Sequence, residues 1–186
     1  GFVNILKELY GEYAQVHILQ GDVRELWPII WKERGTPDRI VGNLPYNIGA
    51  KIIIGLLKRQ CIPERSVFTV QKEVSQRLRA KPGDKDYSFL SVVSQLFWNV
   101  KIITHLQPGS FYPRPDVVST AVVCDKKNNT PHFYDRDFFY SFLDKMFVSR
   151  RKTIKRNLIT HYADKISADY SIEGLLHTAV IQPNTR

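Results

Sequence analysis

The stretch that decides the fold is Arg39-Ile40-Val41-Gly42-Asn43-Leu44-Pro45-Tyr46, in which a short apolar run leads into a loop that contains a proline. An apolar-rich segment at 48–57 follows, so the predicted order is strand, tight loop and helix. Loops at the carboxyl end of a strand are where open α/β sheets bind ligands. Pro45 fixes its own φ and favours an extended Leu44, so we expect this loop to be stiff.

The side chains of this loop suit a planar base that carries an amino group. The amide oxygen of Asn43 and the carbonyl of Leu44 can accept the two amine hydrogens while Tyr46 stacks on the ring. Taken alone, Asn, Pro and Tyr are ordinary turn residues, and such a tetrapeptide is more often a turn than a site. The rest of the sequence decides between these interpretations.

The composition is that of a folded globular protein with a basic surface. The 186 residues are 43% hydrophobic and 24% charged, which suits one medium domain or a domain with a small addition. Lysine and arginine number 27 against 18 aspartates and glutamates, for a net charge of +9. An excess of this size favours a polyanionic partner.

Cysteine, histidine and apolar patterns bound the cellular setting. Cys61 and Cys124 are far apart, which argues against a disulfide framework and fits a reducing compartment. The five histidines show no metal-ligand spacing, so no metal site is expected. The longest apolar stretch, residues 52–57, is too short for a bilayer, and no signal-peptide pattern opens the chain. We therefore expect a soluble, cytoplasmic protein with no membrane partner, acting as a monomer.

Strand and helix patterns alternate along the first two thirds of the chain, which predicts an α/β sheet. The predicted strands are residues 15–19, 39–43, 66–71, 100–106 and 117–124. The predicted helices between them are residues 2–13, 48–57, 72–79 and 88–97. After a composition shift at 126–131 the pattern is helical, at 137–147, 149–162 and 171–179. We place a domain boundary there, with an α/β domain over 1–128 and a small helical domain over 129–186.

Five blocks in this order carry a family resemblance. They are Gln20–Asp22, Val41–Ile48, Val70–Val74 with Arg77-Leu78 after it, Pro108–Val117 and Arg150–Ile154. Over essentially its whole length the chain resembles the small-subunit ribosomal RNA adenine dimethyltransferases, which are S-adenosylmethionine-dependent enzymes. The resemblance implies a Rossmann-like methyltransferase sheet over 1–128 and an RNA-contacting helical domain over 129–186.

The resemblance also implies roles for single residues. Asp22 looks like the acid that accepts a hydrogen bond from the cofactor's adenine, although a turn residue or a helix cap would have the same sequence. Phe111, between prolines, looks like a second aromatic against the flipped base, although it could equally anchor its loop on the core. The residues that resemble the amine-binding motif are Asn43, Leu44, Pro45 and Tyr46, and Asn43 also borders the cofactor.

A basic segment near the C-terminus is the candidate RNA contact. A helix predicted from Ser149 would carry one apolar stripe, formed by Leu143, Phe147, Ile154 and Leu158. A basic helix face is more often merely solvated, but here it joins a net charge of +9. The residues expected to contact RNA are Arg150, Arg151, Lys152, Lys155 and Arg156.

The sequence departs from the family in its cofactor motifs. The Gly-x-Gly turn after the first strand is absent, and so is the acid that would hold the ribose hydroxyls. We therefore expect the chain to be a portion of a longer protein, with a sheet that lacks its first two strands. A strand at 15–21 would then have unpaired backbone groups. By itself this portion should bind S-adenosylmethionine weakly and be inactive.

Three functional interpretations follow. The favoured one is dimethylation of adenine amines in a small-subunit rRNA hairpin during ribosome assembly, with rRNA or the pre-ribosomal small subunit as partner. A non-catalytic rRNA-binding assembly factor, or a transcription-factor relative, would suit the missing glycine turn. A DNA adenine methylase shares the amine chemistry, but those enzymes favour proline where this chain has Leu44.

Overall fold

The computed structural model describes residues 1–59, 62–165, 171–182 and 185. The strands in this part are β1 (Arg39–Asn43), β2 (Arg65–Gln71), β3 (Trp98–Leu106) and β4 (Ser119–Lys126). The helices are α1 (Phe2–Tyr10), α2 (Val23–Arg34), α3 (Gly49–Lys58), α4 (Lys72–Arg79), α5 (Phe89–Phe97), α6 (Arg136–Val148), α7 (Ile154–Tyr162) and α8 (Ile172–Thr178). The α/β alternation predicted for residues 39–126 is confirmed.

The four strands form one mixed sheet in the order β1-β2-β4-β3. β1 runs parallel to β2, and β4 runs antiparallel to both β2 and β3. Asn43 is level with Thr69 on β2, while Ser119 on β4 lies between Gln71 and Leu106. The carboxyl ends of β1, β2 and β3 and the start of β4 therefore share one edge, which we call the site edge.

The core lies on one face of this sheet. β2 alternates along its length, so that Phe68 and Val70 are buried on the same face as their β4 partners, Val122 and Thr120. Helices α3 and α5 bring fully buried apolar residues to this core, namely Ile53, Leu56, Leu57, Leu90 and Val93. Each buried side chain of this size stabilises the fold by about 1.5–3 kcal/mol relative to exposure.

Helix α6 is packed on the same core. Tyr140 is 3% exposed, and its hydroxyl donates a hydrogen bond to the Leu57 carbonyl at 3.2 Å. Burial raises the pKa of Tyr140 to about 12. The rings of Phe133 and Phe139 stack with centroids 4.4 Å apart beside it. Residues on both sides of position 128 therefore share one core, and the division into two domains there stays a prediction.

Two predictions for the N-terminal part are wrong. Residues 15–19 form a turn and irregular chain rather than a strand. A strand needs a neighbour for its backbone groups, and none of the described strands pairs with this segment. The helix α2, by contrast, was not predicted. Pro28 lies inside it and obscures its pattern, but Asp22 caps its first turn and Trp27 is its buried residue.

The helix predicted from Ser149 is also wrong, because α6 ends at Val148 and α7 begins at Ile154. The Thr153 side chain caps α7 by accepting a hydrogen bond from the Arg156 amide. The buried Asn157 side chain donates to the Met146 carbonyl at 3.2 Å, which satisfies an acceptor at the end of α6. The expected apolar stripe is thus divided between two helices.

Cysteine, membrane and metal features complete the fold. Cys124 is buried, which raises the pKa of its thiol to about 12, whereas Cys61 lies outside the described residues. Within the described ranges, no helix is long and apolar enough to span a membrane. In the same ranges, no cluster of three or more His, Cys, Asp or Glu side chains could hold a metal ion.

Candidate active site

The loop between β1 and α3 is held at both of its ends. The Leu44 amide donates a hydrogen bond to the Thr69 carbonyl on β2 at 3.0 Å. The Pro45 carbonyl accepts from the amides of Ile48 and Gly49 at 3.2 and 2.8 Å, which starts α3. The predicted sequence of strand, stiff loop and helix is therefore confirmed, and it lies at the site edge.

Gly42 allows this loop to fold down onto the core. A Cβ at this position would lie 3.0 Å from a methyl carbon of Leu44 and 3.2 Å from the Phe68 ring. Both neighbours are tighter than ordinary van der Waals contact, and Phe68 is a fully buried core residue. A larger residue would therefore displace the loop backbone that carries Asn43.

Asn43 presents its amide at the carboxyl end of β1. The residue is exposed, and within the described part of the chain no hydrogen bond engages its side chain. An exposed amide on a strand end has a fixed origin and free donor and acceptor groups. Leu44 beside it is half-buried and Pro45 is exposed. The arrangement can accept hydrogen bonds from a planar amine, as the sequence predicts.

Tyr46 is half-buried, and a residue far along the chain holds its hydroxyl. The phenol oxygen lies 2.5 Å from Ser119 Oγ, and the two hydroxyls share a hydrogen bond. Ser119 is fully buried at the start of β4. Ser119 was not among the residues predicted from the sequence, and the only sequence signal for it is its position just after the proline-stiffened loop at 108–115.

Phe111 lies on the loop that joins β3 to β4 at the site edge. A short 3-10 turn at Pro108–Ser110 precedes it, and the Phe111 amide donates to the Pro108 carbonyl at 3.3 Å. The residue is half-buried. The fold thus brings the Phe111 loop and the Asn43 loop to one edge, while a contact of the Phe111 ring with a base stays a prediction.

Asp22 caps a helix, as one of its two sequence interpretations allowed. Its carboxylate accepts the Arg24 amide at 2.8 Å and the Arg24 guanidinium at 3.0 Å. These hydrogen bonds to Arg24 hold the pKa of Asp22 at about 2, below its ordinary 3.8. Both carboxylate oxygens are therefore engaged within the chain, and a contact of Asp22 with the cofactor's adenine stays a prediction.

The residues present fit only part of S-adenosylmethionine. Asn43 can border a methyl group that approaches the amine. The ten glycines include no Gly-x-Gly, so the described residues offer no close backbone approach to the methionine moiety. The Asp22 carboxylate is already paired with Arg24. The chain thus carries the substrate side of such a site, and its described residues do not provide the cofactor side.

The five candidate RNA-contacting residues fall into two groups. Arg150 donates a hydrogen bond to the Lys85 carbonyl at 2.8 Å, which ties it to the loop before α5. Lys155 forms an ion pair with Glu173 on α8 at 2.5 Å, and this pair lowers the pKa of Glu173. The exposed residues for which the described part shows no side-chain partner are Arg151, Lys152 and Arg156.

The sheet order and the loop at its edge define a Rossmann-like methyltransferase fold. A dimethyladenosine transferase from Plasmodium falciparum superposes with a TM-score of 0.75 at 21% identity, over 98% of this chain and 72% of that one. The 23S rRNA methyltransferase ErmE superposes with a TM-score of 0.61 at 16% identity, over the whole chain and 71% of that one. At these identities the likeness shows the fold alone.

Sequence similarity then gives the family. The family model described as ribosomal RNA adenine dimethylase matches residues 1–185, and the chain belongs to this family. Ribosomal RNA small subunit methyltransferase A from Treponema denticola is 34% identical over 94% of this chain and 62% of its own length. The protein of that name from Treponema pallidum is 39% identical over 86% of this chain and 55% of its own length. The chain therefore spans somewhat more than half the length of these relatives.

Proposed function

We propose that the protein containing this chain dimethylates the exocyclic amine of adenines in a small-subunit rRNA hairpin during ribosome assembly. The observation that carries the proposal is the Asn43 amide, exposed and unengaged in the described structure at the end of β1. It stands beside a half-buried Tyr46, in a chain that belongs to the ribosomal RNA adenine dimethylase family. The net charge of +9 suits a polyanionic substrate.

Positioning and hydrogen bonding carry the chemistry. An adenine amine is a poor nucleophile because its lone pair is delocalised into the ring. When Asn43 Oδ1 and the Leu44 carbonyl accept its hydrogens, a pyramidal nitrogen with a directed lone pair is favoured. Tyr46 and Phe111 offset the stacking that a flipped base loses. S-adenosylmethionine, when bound, supplies the methyl group on a sulfonium centre.

The decisive variant is Asn43→Ala in the complete gene product. Loss of one positioned acceptor should cost about 2–4 kcal/mol of transition-state stabilisation, which is a fall of about 30- to 1000-fold in kcat/KM. Methyl transfer to small ribosomal subunits measures it. Asn128→Ala is the matched control, since Asn128 is exposed just beyond the opposite end of β4. Activity of Asn43→Ala within about threefold of the control would contradict the assignment.

We propose that Arg151, Lys152 and Arg156 contact the RNA backbone. Each phosphate contact adds about 0.7–0.9 to the slope of log K against log salt, so reversing all three residues to Glu should flatten that slope by about two to three. Binding to the small subunit across a salt series measures it. The matched control reverses three basic residues of the N-terminal helices, Lys7, Lys32 and Arg34. An equal loss in both triple variants would indicate net charge rather than a contact surface.

One observation favours a second candidate function. A chain without Gly-x-Gly suits a non-catalytic rRNA-binding assembly factor. Such a factor would bind the small subunit with the same salt dependence and leave its adenines unmethylated. Mass spectrometry of the adenines after incubation with S-adenosylmethionine separates the two candidates. The enzyme is expected to act as a monomer in the cytoplasm, which sedimentation and fractionation of the complete gene product test.

A further inference from the structure

The hydroxyl of Ser119 is the one partner that the structure shows for the Tyr46 phenol within the described residues. The two residues lie 73 positions apart, and their oxygens are 2.5 Å apart. Ser119 is fully buried, whereas Tyr46 is half-buried on the loop after β1. The hydrogen bond therefore joins the candidate site loop to the interior of the sheet.

Ser119 is a rigid anchor for that bond. It pairs with Gln71 on one side and with Leu106 on the other, so strands flank it on both edges. The Val118 carbonyl just before it accepts a hydrogen bond from the Lys72 amide at 3.0 Å. A side chain that is buried on a strand between two partners has little freedom, and its Oγ position is set by the sheet.

The Tyr46 ring needs such an anchor to hold a single orientation. The loop backbone fixes its Cα through the hydrogen bonds of Leu44 and Pro45, but χ1 and χ2 remain free to turn the ring. The hydroxyl is the ring atom group farthest from the backbone. One hydrogen bond at that point therefore restricts both torsions, and a stacking wall held in this way is preorganised for a planar ligand.

We propose that Ser119 is a positioning residue for the adenine amine: it holds the Tyr46 ring, through the shared hydroxyl hydrogen bond, as a fixed wall of the base pocket. This inference rests on the proposed function and deepens it. Ser119 acts only through Tyr46 and touches neither the base nor the methyl donor. Its loss should therefore lower kcat, which depends on base orientation, and leave the affinity for the RNA backbone unchanged.

The first test is Ser119→Ala in the complete gene product. We expect kcat for methylation of small ribosomal subunits to fall about tenfold while KM for the subunit stays within about twofold. Ser66→Ala is the matched control, because Ser66 is a fully buried serine of the same sheet whose hydroxyl has no partner among the described residues. Equal effects of the two substitutions on kcat would overturn the proposal.

A double-substitution cycle keeps the test independent of folding. Tyr46→Phe deletes the same hydrogen bond from the half-exposed loop side, and it should lower kcat as Ser119→Ala does. Because both remove one interaction, the double variant should be no slower than either single variant. Ser119→Thr, which keeps the hydroxyl, should restore most of the rate. Effects that multiply in the double variant would show that Ser119 acts by another route and would overturn the proposal.

A spectroscopic readout and one reference variant separate this inference from the proposed function. With ¹³C-labelled tyrosine, the Tyr46 ring signals should shift and broaden in Ser119→Ala and stay unchanged in Ser66→Ala. Unchanged Tyr46 signals in Ser119→Ala would overturn the inference. If the wild type methylates, Asn43→Ala does not, and Ser119→Ala matches the wild type, the positioning role alone fails. If Asn43→Ala methylates as well as the wild type, the proposed function fails and the positioning role fails with it.

Discussion

Helices α1 and α5 have the same length, nine residues, and both carry apolar side chains at helical spacing. Their surroundings are opposite. All of α1 lies in the described range and none of its residues is buried, with Phe2 75% and Leu9 60% exposed. In α5 five residues are buried, and Leu90 is fully enclosed. An apolar stripe therefore specifies which face of a helix can be buried, and a partner surface decides whether it is.

The partner surface of α5 is made of helices and specific hydrogen bonds. It contacts α3 and α4 and continues directly into β3. Ser91 in its first turn accepts the Ser88 amide at 2.9 Å and donates to the Arg77 carbonyl of α4 at 2.5 Å. The start of α1 has Gly1 as its N-cap and no capping side chain. Burial and capping thus favour the same helix.

The largest difference should appear in amide exchange of the 186-residue chain. Amides in the middle of α5 should exchange only through global unfolding, with opening free energies of about 5–15 kcal/mol. Those of α1 should open at about 1 kcal/mol or less, because an isolated helix of this length is marginal in water. Hydrogen exchange followed by NMR measures both. Comparable protection in the two helices would show that α1 packs against a partner in solution.

The next contrast compares two leucines. Leu90→Ala in α5 should lower the free energy of unfolding by about 2–5 kcal/mol, because it removes a fully buried side chain and leaves a cavity. Leu9→Ala in α1 removes the same atoms from an exposed site, so its effect should stay within about 0.5 kcal/mol. Denaturant unfolding with a shared m-value measures the difference. A large loss for Leu9→Ala would break the comparison.

A smaller contrast compares the third position of each helix. Ser91→Ala leaves the Ser88 amide and the Arg77 carbonyl without their partner, and an unsatisfied buried polar group costs about 1–3 kcal/mol. Asn4 holds the same position in α1 and is exposed, so Asn4→Ala should change the free energy of unfolding by less than about 0.5 kcal/mol. Thermal unfolding of both variants is the measurement. Equal shifts in Tm would mean that the Ser91 bonds contribute nothing specific.

The smallest effect concerns α2, which has a cap and a single buried residue and so lies between the two helices. The pKa of Asp22 is lowered from 3.8 to about 2 by its bonds to Arg24. A lowered carboxyl pKa contributes stability that is present above the unfolded value of 3.8 and lost as pH falls through about 2. NMR shifts in the first turn of α2 should follow this titration. Asp22→Asn keeps a capping acceptor and cannot ionise, so the same titration in that variant would exclude Asp22 as its source.

Much of the fold was predictable because its signals are local. The strand, loop and helix around Asn43 follow from an apolar run, a proline and a second apolar run. The buried helix over 88–97 follows from its periodicity. The strand at 15–19 failed because its apolar residues lack a neighbouring strand in the described sheet. The division between α6 and α7 was missed because the Asn157 side chain, rather than a proline or glycine, satisfies the end of α6.

By itself the sequence determined where an amine could be held, because Asn43, Leu44, Pro45 and Tyr46 are neighbours and their backbone preferences act over a few residues. Only the tertiary structure decided which amphipathic helix is buried and that Ser119 meets Tyr46. That contact depends on β4 lying antiparallel between β2 and β3 with Ser119 opposite Gln71. Strand register is a property of the whole sheet, so a contact across 73 residues has no signature in either local segment.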